Sequence, residues 1–148
     1  MKVYAGSDHG GLTLKKVLIS RLKELGHQVE DLGTLNEDSC DYPDFAHAVA
    51  HKVKENSGSF GLLTCGSGIG ISIAANRHSG IRAALCHNSL EAQLSRQHND
   101  ANILVMGGRL IGEALAIDVL ETFFSTGFEG GRHQKRIEKI ELNTEKRG

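Results

Sequence analysis

The sequence predicts an α/β fold in which helices cover both faces of a five-stranded parallel sheet. Five short apolar runs alternate along the chain with longer amphipathic segments. Strands that are apolar throughout are typical of a parallel sheet buried on both faces. The chain has 148 residues and one proline, with no low-complexity linker and no internal repeat. We therefore expect a single domain over residues 1–148.

The elements follow from the apolar spacing and from the residues that begin and end each segment. Leucines at helical spacing predict a first helix that ends at Gly26, with Lys15 on the face opposite the leucines. Pro43 marks the start of the second helix, because proline fits the first helical turn. The predicted strands are 2–5, 27–32, 60–65, 81–86 and 102–106. The predicted helices are 12–25, a segment from the Asp41-Tyr42-Pro43 turn through 46–54, then 69–77, 90–96, 112–124 and a charged C-terminal helix 132–145.

Composition excludes several classes of function. The formal net charge is −1, so no overall basic field would attract nucleic acid or an anionic membrane. No apolar run approaches the ~20 residues of a membrane span, and the first residues lack the long apolar segment of a signal peptide. We therefore expect a cytoplasmic protein. The three cysteines form no CxxC pair and the eight histidines form no HExxH pattern. Neither a disulfide framework nor a metal site is expected, and no cofactor is implied.

The segment CGSGIG, residues 65–70, joins the third predicted strand to the next helix. A dinucleotide-binding loop has GxGxxG after the first strand and an acidic residue ~20 positions later, and this segment matches neither feature. It does not match a P-loop either. A glycine-rich turn into a helix exposes backbone N–H groups that can hold a phosphate or an oxyanion. Gly66, Gly68, Ile69 and Gly70 would supply those groups, although a tight turn that binds nothing is equally compatible with the pattern.

Cys65 favours a catalytic interpretation of this loop. A free cysteine at the end of a strand is most often a small buried hydrophobic residue. This one directly precedes amides at the start of a helix, where the pKa of a thiol decreases. The thiolate could act as a base or a nucleophile beside donors that stabilise an anion. Ser67 could cap the helix or donate a hydrogen bond to the thiolate.

Polar residues also follow two other strands of the predicted sheet. Asp8 and His9 come after the first strand, and Arg109 comes after the fifth. Because ligands bind at the carboxyl ends of parallel strands, these side chains can face the same ligand as Cys65. A simpler interpretation makes Asp8 a helix N-cap with an exposed histidine beside it.

The last third of the chain carries a histidine and a pair of arginines. His98 is a candidate general acid or base, because the pKa of an imidazole lies near neutrality. In the simpler alternative, His98 favours the end of its helix by charge and Asn99 caps it. Arg132 and Arg136 are four residues apart and share one helical face, which suits a phosphate clamp. A solvated basic face is the commoner outcome for such a run.

Five segments, taken in order, resemble the type B ribose-5-phosphate isomerase family. They are SDHGG, DYPDFA, CGSGIGISIAANR, SRQHNDANIL and FEGGRHQKRI, and they span nearly the whole chain. The resemblance implies a Rossmann-like three-layer α/β/α sandwich with five parallel strands. It also implies a homodimer or a dimer of dimers, in which each active site is built from two chains and the C-terminal helix reaches the partner subunit.

The resemblance also assigns roles to individual residues. Cys65 matches the base that moves a proton between carbon 1 and carbon 2 of the sugar, and His98 matches the acid or base that opens the ring. Ser67 takes the place of a threonine found in some relatives. The implied substrate contacts are Asp8, His9, Asn99, Arg109, the amide loop 66–70, and the phosphate-binding arginines Arg132 and Arg136.

The predicted function is a metal-independent aldose–ketose isomerase of the pentose phosphate pathway. It would interconvert D-ribose 5-phosphate and D-ribulose 5-phosphate through ring opening and a cis-enediolate. A thiol base, a histidine and an anion-binding loop suit proton transfer beside a carbonyl group. Two alternatives stay open: an isomerase of allose 6-phosphate or galactose 6-phosphate, and a sensor that binds a sugar phosphate without turnover.

Overall fold

The computed structural model describes residues 1–142, and the predicted parallel sheet is confirmed. The sheet order is β2-β1-β3-β5-β4, and every pair of neighbouring strands is parallel. The strands are β1 (Lys2–Ser7), β2 (Gln28–Asp31), β3 (Phe60–Cys65), β4 (Ala83–Leu85) and β5 (Ile103–Gly107). The connection from β2 to β3 crosses from one side of β1 to the other. The carboxyl ends of β1 and β3 therefore border the crevice in which α/β sheets bind ligands.

Helices cover both faces of the sheet, so the predicted three-layer arrangement is also confirmed. A 3₁₀ helix (His9–Gly11) leads into α1, and the helices are α1 (Leu12–Glu24), α2 (Tyr42–Glu55), α3 (Ile69–Ala75), α4 (Ser89–Asn99), α5 (Glu113–Ser125) and α6 (Arg132–Glu138). One core cluster joins α1, α4 and α5 to the sheet, and a second joins α2 and α3 to its other face. Successive strand residues alternate between the two clusters, as Leu62 and Leu63 do.

Two predictions about the helices were wrong. Lys15 does not face solvent: its side chain is fully buried in α1, and its Nζ donates to Asp31 Oδ1 at 2.7 Å and to the Thr34 carbonyl at 2.6 Å. The ammonium group thus ties α1 to the end of β2 and to the segment that follows it. The C-terminal helix ends at Glu138 rather than continuing to residue 145, and positions 143–145 lie outside the described residues. Its first turn begins at Arg132, as predicted.

Other boundaries shift by a few residues. The helix predicted around Pro43 starts at Tyr42 and runs without interruption to Glu55, because proline at the first turn is compatible with the helix. The fourth strand has only three residues, Ala83–Leu85, against the predicted 81–86. Within residues 1–142, no helix is both long and apolar enough to span a bilayer.

Candidate active site

A cavity of about 510 Å³ lies at the carboxyl ends of β1 and β3. Backbone segments that follow three strands of the sheet form its walls, together with the first residue of α2. Its lining residues are Asp8, Tyr42, Cys65, Gly66, Ser67, Ile69, Gly70, Arg109 and Leu110. The structure therefore brings together the predicted thiol, the glycine loop, Asp8 and Arg109.

The thiol of Cys65 is held by the backbone of the loop that follows it. The side chain is 5% exposed, and its Sγ accepts a hydrogen bond from the Gly68 N–H at 3.1 Å. Gly68 has a φ of +78°, a left-handed conformation with which the chain turns from the loop into α3. The loop therefore directs a backbone donor at the sulfur.

The glycine at position 70 is required by a close approach. A Cβ atom on Gly70 would collide with the ring of Tyr42, the first residue of α2. Tyr42 is a cavity residue that the sequence analysis did not assign to the site. The signal was present in the DYPDFA segment, since Pro43 marks the first turn of α2 and Tyr42 directly precedes it.

Ser67 and Arg109 complete the loop. Ser67 Oγ accepts a hydrogen bond from the Ile69 N–H at 3.1 Å, and Gly68, not Ser67, is the N-cap residue of α3. The N–H of Arg109 donates to the Gly66 carbonyl at 2.9 Å, and its guanidinium lies beside Gly66. The loop therefore places a cationic group next to amides that can hold an anion.

Asp8 and His9 leave β1 in different directions. Asp8 Oδ1 accepts the Gly11 N–H at 3.0 Å, so it caps the 3₁₀ helix while also lining the cavity. His9 does not line the cavity, and its Nδ1 accepts the Cys40 N–H at 3.3 Å. The Cys40 sulfur lies 3.9 Å from the same nitrogen. Cys40 thus contacts a residue that is a candidate for substrate binding.

The remaining candidates form a second group away from this cavity. His98 and Asn99 end α4, and Arg132 and Arg136 stand on α6; none of the four lines the cavity that contains Cys65. Because β4 and β5 are parallel, α4 runs back from the carboxyl end of β4 to the amino end of β5. His98, near the end of α4, therefore lies toward the amino ends of the strands, away from the cavity. One chain therefore presents two incomplete sets of candidate residues.

His98 has close neighbours in this second group. Its ring stacks on that of His133, with centroids 4.3 Å apart and planes 12° apart. The potential ligand atoms of His98, Glu129 and His133 all lie within 4.8 Å of one another. Burial lowers the pKa of His133, and the charges of His98 and Arg132 lower it further. Among residues 1–142, these three side chains form the cluster whose composition could hold a metal ion.

Residues 3–140 match the model of a family described as Ribose/Galactose Isomerase. The chain belongs to this family. The family resemblance seen in the sequence is therefore confirmed, and the match extends over both groups of candidate residues.

Relatives in the ribose/galactose isomerase family agree in sequence and in structure. The chain is 45% identical to ribose-5-phosphate isomerase B of Escherichia coli over 139 residues, which are 94% of this chain and 93% of the relative. A structure of ribose-5-phosphate isomerase B from Clostridium thermocellum superposes with a TM-score of 0.95 at 49% identity, covering 100% of both chains. The isomerase B structure from Mycoplasma genitalium is described with bound ribulose-5-phosphate. It superposes with a TM-score of 0.93 at 44% identity, covering 99% of this chain and 97% of the other.

Proposed function

We propose that this chain is an aldose–ketose isomerase that interconverts D-ribose 5-phosphate and D-ribulose 5-phosphate. The observation that carries the proposal is the hydrogen bond from the Gly68 N–H to Cys65 Sγ, at the mouth of a cavity that also contains Asp8 and Arg109. Relatives named ribose-5-phosphate isomerase B, one of them described with bound ribulose-5-phosphate, support the choice of substrate. The proposal places the protein in the cytoplasm and in the pentose phosphate pathway.

The reaction begins with opening of the furanose ring of the aldose. His98 transfers a proton to the ring oxygen as the bond between that oxygen and carbon 1 breaks, and the hydroxyl on carbon 1 passes its proton to water. Asp8 orients a sugar hydroxyl, and His9 and Asn99 contact the sugar. An imidazole suits this step because it exchanges protons near neutral pH.

The isomerisation follows on the open-chain sugar. Cys65, as thiolate, removes the proton from carbon 2, and the electron pair moves into a cis-enediolate. The amides of residues 66–70 hold the developing oxyanion, and Ser67 orients the loop through its contact with the Ile69 N–H. The proton returns to carbon 1, while the hydroxyl proton moves from the oxygen on carbon 2 to the oxygen on carbon 1, which leaves the ketose.

A second copy of the chain completes the site in this proposal. His98, Arg132 and Arg136 do not line the cavity of their own chain, so they serve the cavity of the partner subunit, with the arginines binding the phosphate. Ile69 and Ile73 on α3 are 52% and 56% exposed beside the cavity, as expected of a surface that pairs with another subunit. The assembly is a homodimer or a dimer of dimers, and α6 reaches across the interface.

The first experiment follows ribose 5-phosphate by NMR in the presence of the full-length protein and excess chelator. Fast formation of the ketose would support isomerase chemistry that needs no dissociable metal. Binding without conversion, followed by turnover of allose 6-phosphate or galactose 6-phosphate, would overturn the proposed substrate. Binding of all three sugars without turnover would identify a sensor.

A further inference from the structure

We infer that His133 and Glu129 are positioning residues for His98, and that they hold its imidazole in the orientation that ring opening needs. This inference rests on the proposed function, in which His98 exchanges the proton of that step. His133 was not singled out by its sequence pattern, and Glu129 stands in an exposed loop.

The stack between the two histidines fixes the plane of the His98 ring. His133 is 7% exposed, so its own ring has few alternative positions. The centroid distance of 4.3 Å and the 12° angle between planes describe direct face-to-face contact. Rotation of the His98 ring about its last side-chain bond would break this contact. A buried aromatic neighbour thus limits the torsion that decides where the ring nitrogens point.

The backbone around the stack is anchored on both sides. The Glu129 N–H donates to the Gln97 carbonyl at 3.1 Å, which joins the loop before α6 to the last turn of α4. The Nε of Arg96, a buried residue two positions before His98 in α4, donates to the Thr126 carbonyl at 3.1 Å. These two bonds fix the position of the loop, and of α6 after it, relative to α4. They therefore also fix His133 relative to His98.

Burial and the surrounding charges explain why the His133 ring should be neutral. Burial lowers the pKa of His133, and the nearby charges of His98, Arg132 and Arg136 lower it further, against the opposing charge of Glu129. A neutral His133 can remain stacked when His98 accepts a proton, whereas two stacked imidazolium rings would repel each other. The Glu129 carboxylate lies within 4.8 Å of both imidazoles, where its charge attracts the ring N–H of His98 and helps to orient that ring.

The same three side chains could be interpreted as a metal site, since zinc accepts imidazole and carboxylate ligands. The geometry favours positioning instead. The nitrogen lone pairs lie in two nearly parallel ring planes, so they do not converge on one point about 2.1 Å from both nitrogens. The positive charges of Arg132 and Arg136, which disfavour a proton on His133, also disfavour a divalent cation at the same place.

A comparison of two reactions separates ring opening from isomerisation. Ribose 5-phosphate is a furanose and must open before it reacts. Ribulose 5-phosphate is acyclic, because the hydroxyl that could close a five-membered ring carries the phosphate. Exchange of the carbon 1 hydrogen of ribulose 5-phosphate with heavy water therefore needs the thiol base and the amide loop but no ring opening. NMR measures this exchange and the conversion of ribose 5-phosphate on the same protein.

The variants are His133→Ala, His133→Phe and Glu129→Gln, with Lys135→Ala on the exposed face of α6 as the matched control. We expect His133→Ala to lower kcat for ribose 5-phosphate about tenfold, because misplaced catalytic groups lose rate steeply with distance. KM and the exchange rate should stay within about twofold of the wild type. His133→Phe, which keeps a flat ring for stacking, should recover part of kcat. Glu129→Gln should show a smaller loss of the same kind, and Lys135→Ala should match the wild type.

Four results would contradict the inference. Equal losses of conversion and exchange, or a rise in KM alone, would make His133 a structural or phosphate-site residue. Unchanged kcat in His133→Ala would remove it from ring opening. Inhibition of the wild type by micromolar zinc that is lost in Glu129→Gln would favour the metal site. If His133→Ala does not fold, as judged by circular dichroism, the Phe and Gln variants still decide the question. Wild-type protein that performs neither reaction would overturn the proposed function itself.

Discussion

Cys65 and Cys86 are two buried cysteines near the carboxyl ends of two strands of the sheet, and their sulfurs have different hydrogen-bond partners. Cys65 ends β3 and Cys86 follows β4, with exposed fractions of 5% and 2%. Cys65 Sγ accepts a hydrogen bond from the Gly68 N–H at 3.1 Å. Cys86 Sγ instead donates to the Ala84 carbonyl at 3.6 Å. One sulfur therefore faces a backbone donor, and the other faces a backbone acceptor.

The direction of that hydrogen bond is the difference that matters for chemistry at the two sulfurs. Burial and the neighbouring charge of Glu91 raise the pKa of Cys86 to about 12, and a carbonyl acceptor suits the protonated form. At Cys65 the sulfur instead accepts the Gly68 N–H, an arrangement that suits a sulfur acting as a proton acceptor.

The sharpest test of this difference compares Cys65→Ala with Cys86→Ala. We expect Cys65→Ala to lower kcat for ribose 5-phosphate by about 10³-fold, because this variant lacks the proposed base for the proton on carbon 2. Cys86→Ala removes a sulfur that is buried to a similar extent, and its kcat should stay within about twofold of the wild type. Thermal unfolding of both variants measures whether the fold survives. Comparable activity in the two variants would overturn the role of Cys65.

The next test changes the donor instead of the sulfur. Gly68→Ala combines a left-handed φ with a Cβ that would lie 2.6 Å from Leu85 Cδ1 and 3.0 Å from the Met106 carbonyl carbon. The loop must move to relieve this contact, which takes the N–H away from Sγ. We expect kcat to fall about 30-fold, roughly 2 kcal/mol of transition-state stabilisation.

Gly58→Ala is the matched control for that variant. Gly58 has a φ of +81°, but a Cβ there would meet no atom within 4 Å. It carries the same backbone strain without the collision and lies outside the cavity. Its free energy of unfolding should fall by about 1 kcal/mol while kcat is unchanged. Equal losses of kcat in the two variants would assign the effect to stability and not to the hydrogen bond.

The features that the sequence predicted are formed mostly by residues close together in the chain. The alternation of strands and helices is a local pattern, and it predicted the parallel sheet and its two covered faces. The Cys65–Gly68 contact spans three residues, so the glycine spacing pointed to it directly. Asp8 and Arg109 were placed with Cys65 because strand ends of a parallel sheet meet at one edge.

Features built from distant segments were missed. Lys15 was assigned to the face opposite the leucines because of its charge. Its ammonium is satisfied by Asp31 and Thr34, which lie 16 and 19 residues away and can be located only once β2 is paired with β1. The stack of His98 on His133 joins residues of two helices, and nothing in either local pattern marks it. The end of α6 at Glu138 was missed because charged residues continue at helical spacing beyond it.

The smallest effect we expect is a pH dependence of stability that comes from Cys86. Its pKa is raised from the ordinary 9.0 to about 12, so between these pH values the folded chain holds a proton that the unfolded chain has lost. The stabilisation that the neutral thiol provides is therefore complete below pH 9 and decreases as the pH rises toward 12. Urea unfolding at pH 8 and at pH 10.5 should show a steeper decrease in the wild type than in Cys86→Ala, by at most about 1.4 kcal/mol per pH unit. Subtracting one protein from the other at each pH cancels the titration of lysine and tyrosine side chains. Parallel curves would mean that the unfolded and folded thiols titrate alike, and the contrast between Cys65 and Cys86 would then rest on the Gly68 donor alone.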